Sequence, residues 1–410
     1  MEKTKNSLRR ILYIQYTNPA GYPPLEHSSR MLEKEGFKVL FLGIGALGAD
    51  NLIFPSHPQI AVHKMAFHPS GWRQKLHYLS FILWVLFWVF RWQPEWIYAS
   101  DLLSCPVAYV LSFIPKSKII YHEHDSPAGH AHSFFIKLCL KARMKLAQRV
   151  QFSILPNQLR CETFALQVKP ANPIFCVWNC PGKDEVLTEQ LPESLSSDES
   201  LWLWYHGSIV PSQLPSTVIH ALKVLPSRVK LKIAGYETIG HPGYVAELLG
   251  LADALDIADR VEYIGTLAKR EQLLENCSGC DIGLALFVQP VREPMAGASN
   301  KPFDYLACGL PLVVADLPDW QAMYVEPGYG LACNPEDPES IAATIGWYLD
   351  HPTEMRAMGE QGRRRILTDW NYEAQFSVVK NQIFPTLLQA NMPTSGIPLT
   401  SVGSNSVRSS

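Results

Sequence analysis

The sequence predicts an α/β protein of two domains, each a parallel sheet wound on both faces by helices. Short apolar runs of strand length, among them Ile11–Gln15, Phe37–Leu42, Val229–Ala234 and Leu310–Ala315, recur between segments of helical periodicity. That is the pattern of strands buried on both faces by crossover helices. The 410 residues suffice for two cores. An acidic, Ser-rich stretch at 183–200 separates the two series and reads as a solvated linker. The domains then fall at 9–182 and 201–370.

Composition excludes some partners. With 36 basic and 38 acidic residues the net charge is −2, so no nucleic-acid or other polyanion partner is expected. The nine cysteines are odd in number and scattered, as reduced thiols are. Cys277-x-x-Cys280 has no second pair and lies between a helix and an apolar strand, so it reads as structural thiols.

In the first domain, Met1–Arg10 is basic, but Gln15, Thr17 and Asn18 break the apolar run behind it. It is not a signal peptide, and a cytoplasmic protein is expected. Ile11–Gln15 is the first strand. Loops at the carboxyl ends of strands line the ligand crevice of a doubly wound sheet, so Thr17–Tyr22, with Gly21 and Tyr22, is a site candidate. A helix runs through Met31 and Leu32 to Gly36, and Phe37–Leu42 is the second strand. No Gly-x-Gly-x-x-Gly follows the first strand, and Gly43-Ile44-Gly45 reads as a turn.

Leu79–Phe90 is twelve residues without charge, inside a helix expected over Tyr78–Trp92 with Trp84, Trp88 and Trp92 on one face. At roughly 18 Å it is too short for a bilayer core of roughly 30 Å. Two readings fit: a core helix, or a peripheral membrane contact flanked by Arg73, Lys75 and Arg91. Strands follow at Trp96–Ala99 and Lys118–Tyr121, the latter running into His122-Glu123-His124-Asp125. A polar cluster after a short apolar strand sits at the crevice. Even with His130 and His132, the spacing reproduces no hydrolase metal series, and no metal is expected. Lys137–Val150, carrying Lys137, Lys141, Arg143, Lys145 and Arg149, is a solvated basic helix or a face for acidic lipid. Phe152–Leu155 and Phe175–Trp178 complete the strands.

The second domain opens with the strand Leu201–Tyr205, then His206-Gly207-Ser208 and a helix near Ser216–Leu225, the geometry of a phosphate cradle. Strands at Val229–Ala234, Val261–Ile264 and Ile282–Leu286 alternate with helices near Tyr244–Leu255 and Arg270–Asn276. Beyond Gly328-Tyr329-Gly330, read as a turn, Pro338–Leu349 and Met355–Leu367 are helical. Residues 371–389 are expected to form closing helices and 390–410 a disordered tail.

The stretch that organises the chain is Ser299–Asp316. Ser299 or Asn300 caps a helix through Phe303, Leu306 and Ala307, Gly309 ends it, and Leu310–Ala315 is a buried strand. A helix N-terminus carrying Ser299, Asn300 and Lys301 suits an anion. Asp304, one turn in, suits a ribose diol and hence a nucleotide; the alternative is an ordinary capped helix with an exposed Asp.

This segment resembles the donor-site motif of glycosyltransferase family 4, the retaining transferases of two Rossmann-like domains (GT-B), in the form Asn-Lys-x-Phe-Glu-Tyr-x-Ala-x-Gly-x-Pro. Asn300, Lys301, Phe303, Tyr305, Ala307, Gly309 and Pro311 match, and Asp304 replaces Glu. In the better-known form two Glu residues stand eight apart, the first facing the donor sugar and the second the ribose. Asp304 takes the second role and the first falls on Ala296, with Glu293 nearby but out of register. The resemblance implies two parallel sheets facing a central cleft, with His124 and Asp125 at the reaction centre and Glu123 beside the acceptor. It places the base near Thr266 and Leu267. The family's Arg after the Gly207 turn is here Ser208, and its Lys falls on Gln213 or Leu214, so Lys301, helped by Arg292, would carry the positive charge. It further implies same-face displacement without a metal or other cofactor, the leaving diphosphate being stabilised by helix N-termini and cations. The acceptor would be a glycan or lipid-linked saccharide, in cell-surface polysaccharide or glycolipid synthesis. An inert GT-B scaffold or partner subunit, a nucleotide-sugar epimerase and a membrane-bound assembly factor are the alternatives.

Overall fold

The computed structural model describes residues 9–69, 71–115, 117–124, 133–187, 200–288 and 295–384. The expectations for Asp125, His130, His132, Arg292, Glu293 and the tail 390–410 lie outside the described residues.

Seven strands form the first sheet: β1 (Arg9–Gln15), β2 (Phe37–Ile44), β3 (Ile60–Met65), β4 (Trp96–Ser100), β5 (Lys118–His122), β6 (Phe152–Leu155) and β7 (Ile174–Cys176). Their order is β3-β2-β1-β4-β5-β6-β7, and each pairing is parallel. Helices α1 (Pro23–Lys34), α2 (Trp72–Trp92), α3 (Cys105–Leu111), α4 (Phe134–Ala147) and α5 (Gln158–Val168) wind this sheet. The second sheet has β8 (Leu201–Ile209), β9 (Val229–Glu237), β10 (Val261–Gly265), β11 (Ile282–Ala285), β12 (Leu312–Ala315) and β13 (Gly330–Cys333) in the order β10-β9-β8-β11-β12-β13, again parallel. Its helices are α6 (Thr217–Val224), α7 (Tyr244–Ala254), α8 (Arg270–Ser278), α9 (Asn300–Ala307), a single turn α10 (Pro318–Trp320), α11 (Pro338–Asp350) and α12 (Pro352–Thr368). In both sheets the order reverses beside the first strand, which opens a crevice at the carboxyl ends.

The last described helix, α13 (Tyr372–Ile383), returns to the first domain. Tyr372, Phe376, Val379 and Ile383 join Tyr13, Phe41 and Tyr98 in one buried cluster. The chain therefore crosses between domains twice.

Several local expectations are corrected. Gly43-Ile44 belongs to β2 rather than to a turn, and Gly330 begins β13. A Cβ on Gly330 would lie 2.4 Å from the Leu312 carbonyl oxygen, so this glycine allows β13 to approach β12 and does not mark a turn. The linker is not solvated throughout. Lys183–Glu185 forms a 3-10 turn, and the Glu185 side chain is only 16% exposed because it is held by His27 and Arg270. Helix α2 starts at Trp72, earlier than its uncharged run, and is buried along one side only, through Tyr78, Phe81, Val85 and Val89. Among the described residues no helix is long and apolar enough to cross a membrane.

Candidate active site

Residues from the carboxyl ends of both sheets enclose a cleft of about 660 Å³, within the range of small-molecule sites. Gly21, Tyr22 and His124 line it from the first domain, and Gly207, Ser208, Thr266, Leu267, Ser299, Asn300, Lys301 and Asp304 from the second. Folding thus brings the expected residues together, except for Glu123 and the undescribed Asp125.

The wall of the second domain is shaped by two glycines. Gly207 lies inside β8, which runs on to Ile209 instead of turning after Tyr205 as expected, and it pairs with Gly235 of β9, at φ +111° and +141°. A Cβ on Gly235 would sit 1.9 Å from the Gly207 carbonyl oxygen, so no side chain fits between the strands. Lys301 reaches over this part of β8, where its Cε would lie 3.1 Å from a Cβ on Gly207. Its Nζ donates to Gln213 Oε1 at 2.7 Å, Gln213 being, with Leu214, one of the two positions on which the family's Lys would fall. Ser299 caps α9 without a side-chain hydrogen bond, which leaves the N–H groups of the first turn to the cleft. Thr266 Oγ1 donates to the Gly235 carbonyl at 3.1 Å and ties the expected base turn to the same strand end.

Asp304 is not the exposed residue of an ordinary capped helix. It is 1% exposed, and Arg270 grips it in two-point fashion: Nη2 donates to Oδ1 at 2.6 Å and Nη1 to Oδ2 at 3.1 Å. His206 Nε2 lies 3.3 Å from Oδ2. The guanidinium also donates to both oxygens of Glu185, at 2.5 and 3.1 Å, and Glu185 meets His27 of the first domain at 2.9 Å. Burial alone would raise both carboxyl groups. Arg270 with His206 outweighs it at Asp304, and Arg270 with His27 at Glu185, so both stay ionised below the usual carboxylate range. The chain from His27 through Glu185 and Arg270 to Asp304 and His206 joins the two domains across the floor of the cleft.

Opposite stands His124. Its backbone N–H donates to Asp101 Oδ1 at 2.8 Å, and its carbonyl accepts from Arg160 at 3.3 Å. Both ring nitrogens are buried without a hydrogen-bond partner, and burial pushes the imidazole down to about 3, so it is neutral at physiological pH. Tyr22 lies 5.4 Å away and His122 3.8 Å away, ring to ring. Two unpartnered ring nitrogens in a cleft suit hydroxyl groups of a ligand. Asp101, which holds this backbone, has φ 61° and ψ 174°, a region open in practice to glycine alone. Gln15 Nε2 donates to its other oxygen at 3.1 Å.

Glu123 does not reach the cleft. Its side chain turns inward, where Arg143 donates to both oxygens at 2.5 and 2.9 Å and the Tyr121 hydroxyl donates at 2.7 Å. Glu123 follows the last residue of β5 and keeps to the side of Tyr121, away from the cleft. Ala296 supplies no carboxylate, but its turn is held across the domains. Asn157 Nδ2 donates to the Ala296 carbonyl at 2.5 Å and Asn179 Nδ2 to the Ala298 carbonyl at 2.7 Å. Among the described residues no group of three His, Cys, Asp or Glu side chains is placed to hold a metal ion.

The sequence reading missed Arg270, Asp101 and Glu26. Arg270 left one trace, a cation in the first turn of a helix, against the dipole. Glu26 lines the cleft from α1, raised by burial against an opposing Arg30 at 2.9 Å, and nothing in its local pattern marks it.

Residues 188–365 match the family model described as glycosyl transferases group 1. A GDP-mannose-dependent monoacylated alpha-(1-6)-phosphatidylinositol monomannoside mannosyltransferase of Corynebacterium glutamicum is 26% identical over 174 residues, 41% of this chain and 43% of that protein, so the match spans less than half of its length. Among solved structures, sucrose-phosphate synthase from Thermosynechococcus elongatus superposes with a TM-score of 0.70 at 17% identity, covering 93% of this chain and all of that one. Anabaena HepE in complex with UDP gives 0.68 at 18% identity over 92% of this chain and all of that one. Sequence similarity in the second domain and structural likeness along both therefore agree: residues 188–365 match the group 1 glycosyl transferase model, and the described residues have the GT-B fold that the resemblance to family 4 implied.

Proposed function

We propose that this protein is a retaining glycosyltransferase that moves a sugar from a nucleoside-diphosphate sugar to a glycan or lipid-linked acceptor, in cell-surface polysaccharide or glycolipid synthesis. The observation that carries this reading is the pairing of two walls across one cleft. The bare backbone of β8 at Gly207, the N-terminus of α9 and Lys301 suit a diphosphate, and the unpartnered ring of His124 faces them. No metal or other cofactor is needed: helix N–H groups and Lys301 act on the leaving diphosphate, and His124, neutral, positions sugar hydroxyls rather than exchanging a proton. Gly21 and Tyr22 belong to the acceptor side. A lipid-linked acceptor would be met at a membrane, and peripheral contact through Leu79–Phe90 is part of the same reading, with the protein at the inner face.

The HepE structures hold UDP and UDP-glucose, and the C. glutamicum relative is named as GDP-mannose-dependent, so UDP- and GDP-sugars are the first donors to test. Thermal shift against UDP-, GDP- and ADP-sugars should show stabilisation by one class. At about a hundred times its dissociation constant that ligand adds about 2.7 kcal/mol. Lys301→Ala should abolish the effect. The second reading, an inert scaffold, is favoured by Asp304 being occupied by Arg270 and by the missing cation at Ser208 and carboxylate at Ala296. Absence of any donor-induced stabilisation would establish it, whereas turnover without an acceptor would indicate an epimerase.

A further inference from the structure

The outer side of α2 is an apolar stripe that no other described element covers. Trp72, Leu76, Leu79, Leu83, Phe87 and Phe90 are each more than half exposed. At steps of three and four residues they fall on one face, opposite the buried Tyr78, Phe81, Val85 and Val89. From Trp72 to Phe90 the stripe is about 27 Å long. It is not isolated. Helices α2, α3 and α4 cover the same side of the first sheet and share one buried cluster, so their outer sides form one surface. On α4, Phe134 is 83% and Leu138 51% exposed.

The charge on this surface has one sign. Helices α2, α3 and α4 contain no Asp or Glu. Exposed Arg73 and Lys75 stand at one end of the stripe and Arg91 at the other, while Lys137, Lys141 and Lys145 are exposed along α4. A second copy of this face would set like charges against each other. A surface of headgroups bearing negative charge over an acyl layer complements both features.

We infer that this three-helix face seats the protein on an anionic lipid bilayer, with the apolar stripe in the headgroup boundary and the α4 lysines over the phosphates; this rests on the transferase reading only in giving the seat a purpose. The direction is fixed by the fold. Helix α4 follows β5 and α2 precedes β4, so Trp72 and Phe134 lie toward the carboxyl ends of the strands, on the cleft side. There Tyr16, just past β1, packs on Tyr78 at 4.9 Å, and Tyr78 packs on Phe135 at 4.9 Å. The surface thus runs up to the rim that leads to Tyr22 and His124, where an acceptor still anchored in the bilayer would enter.

The test is flotation of the full chain with phosphatidylcholine vesicles and with vesicles containing phosphatidylglycerol. Binding is expected only with the anionic lipid. The variant Leu83→Asp/Phe87→Asp, altered at exposed positions, should lose at least about tenfold in bound fraction with an unchanged melting temperature and an unchanged response to donor. Lys137→Glu/Lys141→Glu should weaken binding and remove its salt dependence. Equal binding to both vesicle types, binding that survives the double aspartate change, or no binding at all would overturn the inference. So would a dimer in sedimentation velocity that the aspartates dissolve. Donor response is read separately: donor binding without vesicle binding leaves the transferase reading and removes this one, and the reverse result does the opposite.

Discussion

Arg270 is the residue whose removal should reveal most about the cleft floor. Its guanidinium is 12% exposed and lies between two carboxylates, of which Asp304 is 2% and Glu185 16% exposed at the side chain. At these contact distances, with an effective dielectric near 20, each charge pair contributes about 4 kcal/mol of attraction against the desolvation of both ions. Arg270→Met keeps most of the apolar stem and strands both carboxylates, so a loss of about 3–5 kcal/mol is expected. Asp304→Asn is milder, because Arg270 remains held by Glu185 and the amide can still accept; about 1.5–3 kcal/mol is expected for the weakened charged hydrogen bonds.

Urea unfolding of the two single variants and their combination gives the coupling. Since the amide that Asp304→Asn introduces has no charge to strand once Arg270 is gone, the double variant should fall short of the sum of the singles by at least about 1 kcal/mol. The result that refutes this is a cost below about 0.5 kcal/mol for Asp304→Asn with additive singles. The carboxylate would then not be engaged by Arg270 in solution, and would be available to a ribose diol as the family pattern has it.

Two further outcomes follow from the opposite wall. Asp101→Gly removes the strain of φ 61° and ψ 174°, worth about 1–3 kcal/mol, but also the hydrogen bonds to the His124 backbone and to Gln15. Its melting temperature should stay close to that of the parent while transfer falls at least about tenfold, and Asp101→Asn should keep most activity; equal activity in all three would dissociate Asp101 from His124. With His124 held down at about 3 by burial, the unfolded chain binds the extra proton below pH 6.5, so this contribution is fully present above about 6.5 and is lost toward 3. Unfolding free energies from urea titrations should therefore fall on acidification by roughly 1.4 kcal/mol per pH unit for this group, a slope that His124→Gln flattens; an identical slope in that variant would show the ring to be solvated.

What could be read from the chain follows what is local. Buried parallel strands announce themselves as continuous apolar runs, and β6 falls where Phe152–Leu155 predicts it. The edge strand β3 does not: Ile-Ala-Val-His-Lys-Met is mostly exposed and carries too little apolar character to stand out. The residues at carboxyl ends of strands were legible because topology alone sends them to the crevice, and His124, Gly207 and Lys301 meet there. The role of Asp304 was not, since its partner is 34 residues earlier and the next carboxylate a further 85 from that partner. Helix α2 gave an ambiguous signal for a physical reason. A helix that is apolar all round looks the same whether its second face meets protein or something else, and only the packing of Tyr78, Phe81, Val85 and Val89 shows which face the fold uses.

The charge arrangement of the cleft assigns different work to Arg270 and Lys301. Arg270 is neutralised by Asp304 and Glu185 together, and with the neighbouring His206 lowered by burial, the group as a whole carries excess negative charge. Such a group repels a diphosphate and suits hydroxyl donors. Lys301 is held by the uncharged Gln213 and stands at the N-terminus of α9 beside Gly207 of β8, so its charge and the helix dipole act in the same direction. On the proposed reading, the phosphate end and the hydroxyl end of a nucleotide would thus be separated by electrostatics before any base is chosen. Because the cations expected at Ser208 and at Gln213 or Leu214 are absent, Lys301 and the α9 N–H groups would bear a larger share of that discrimination than any single residue would in a site carrying all three. Substituting Lys301 should therefore cost more affinity for the diphosphate than for the nucleoside, and comparing nucleoside, monophosphate and diphosphate binding in Lys301→Ala reads that difference directly.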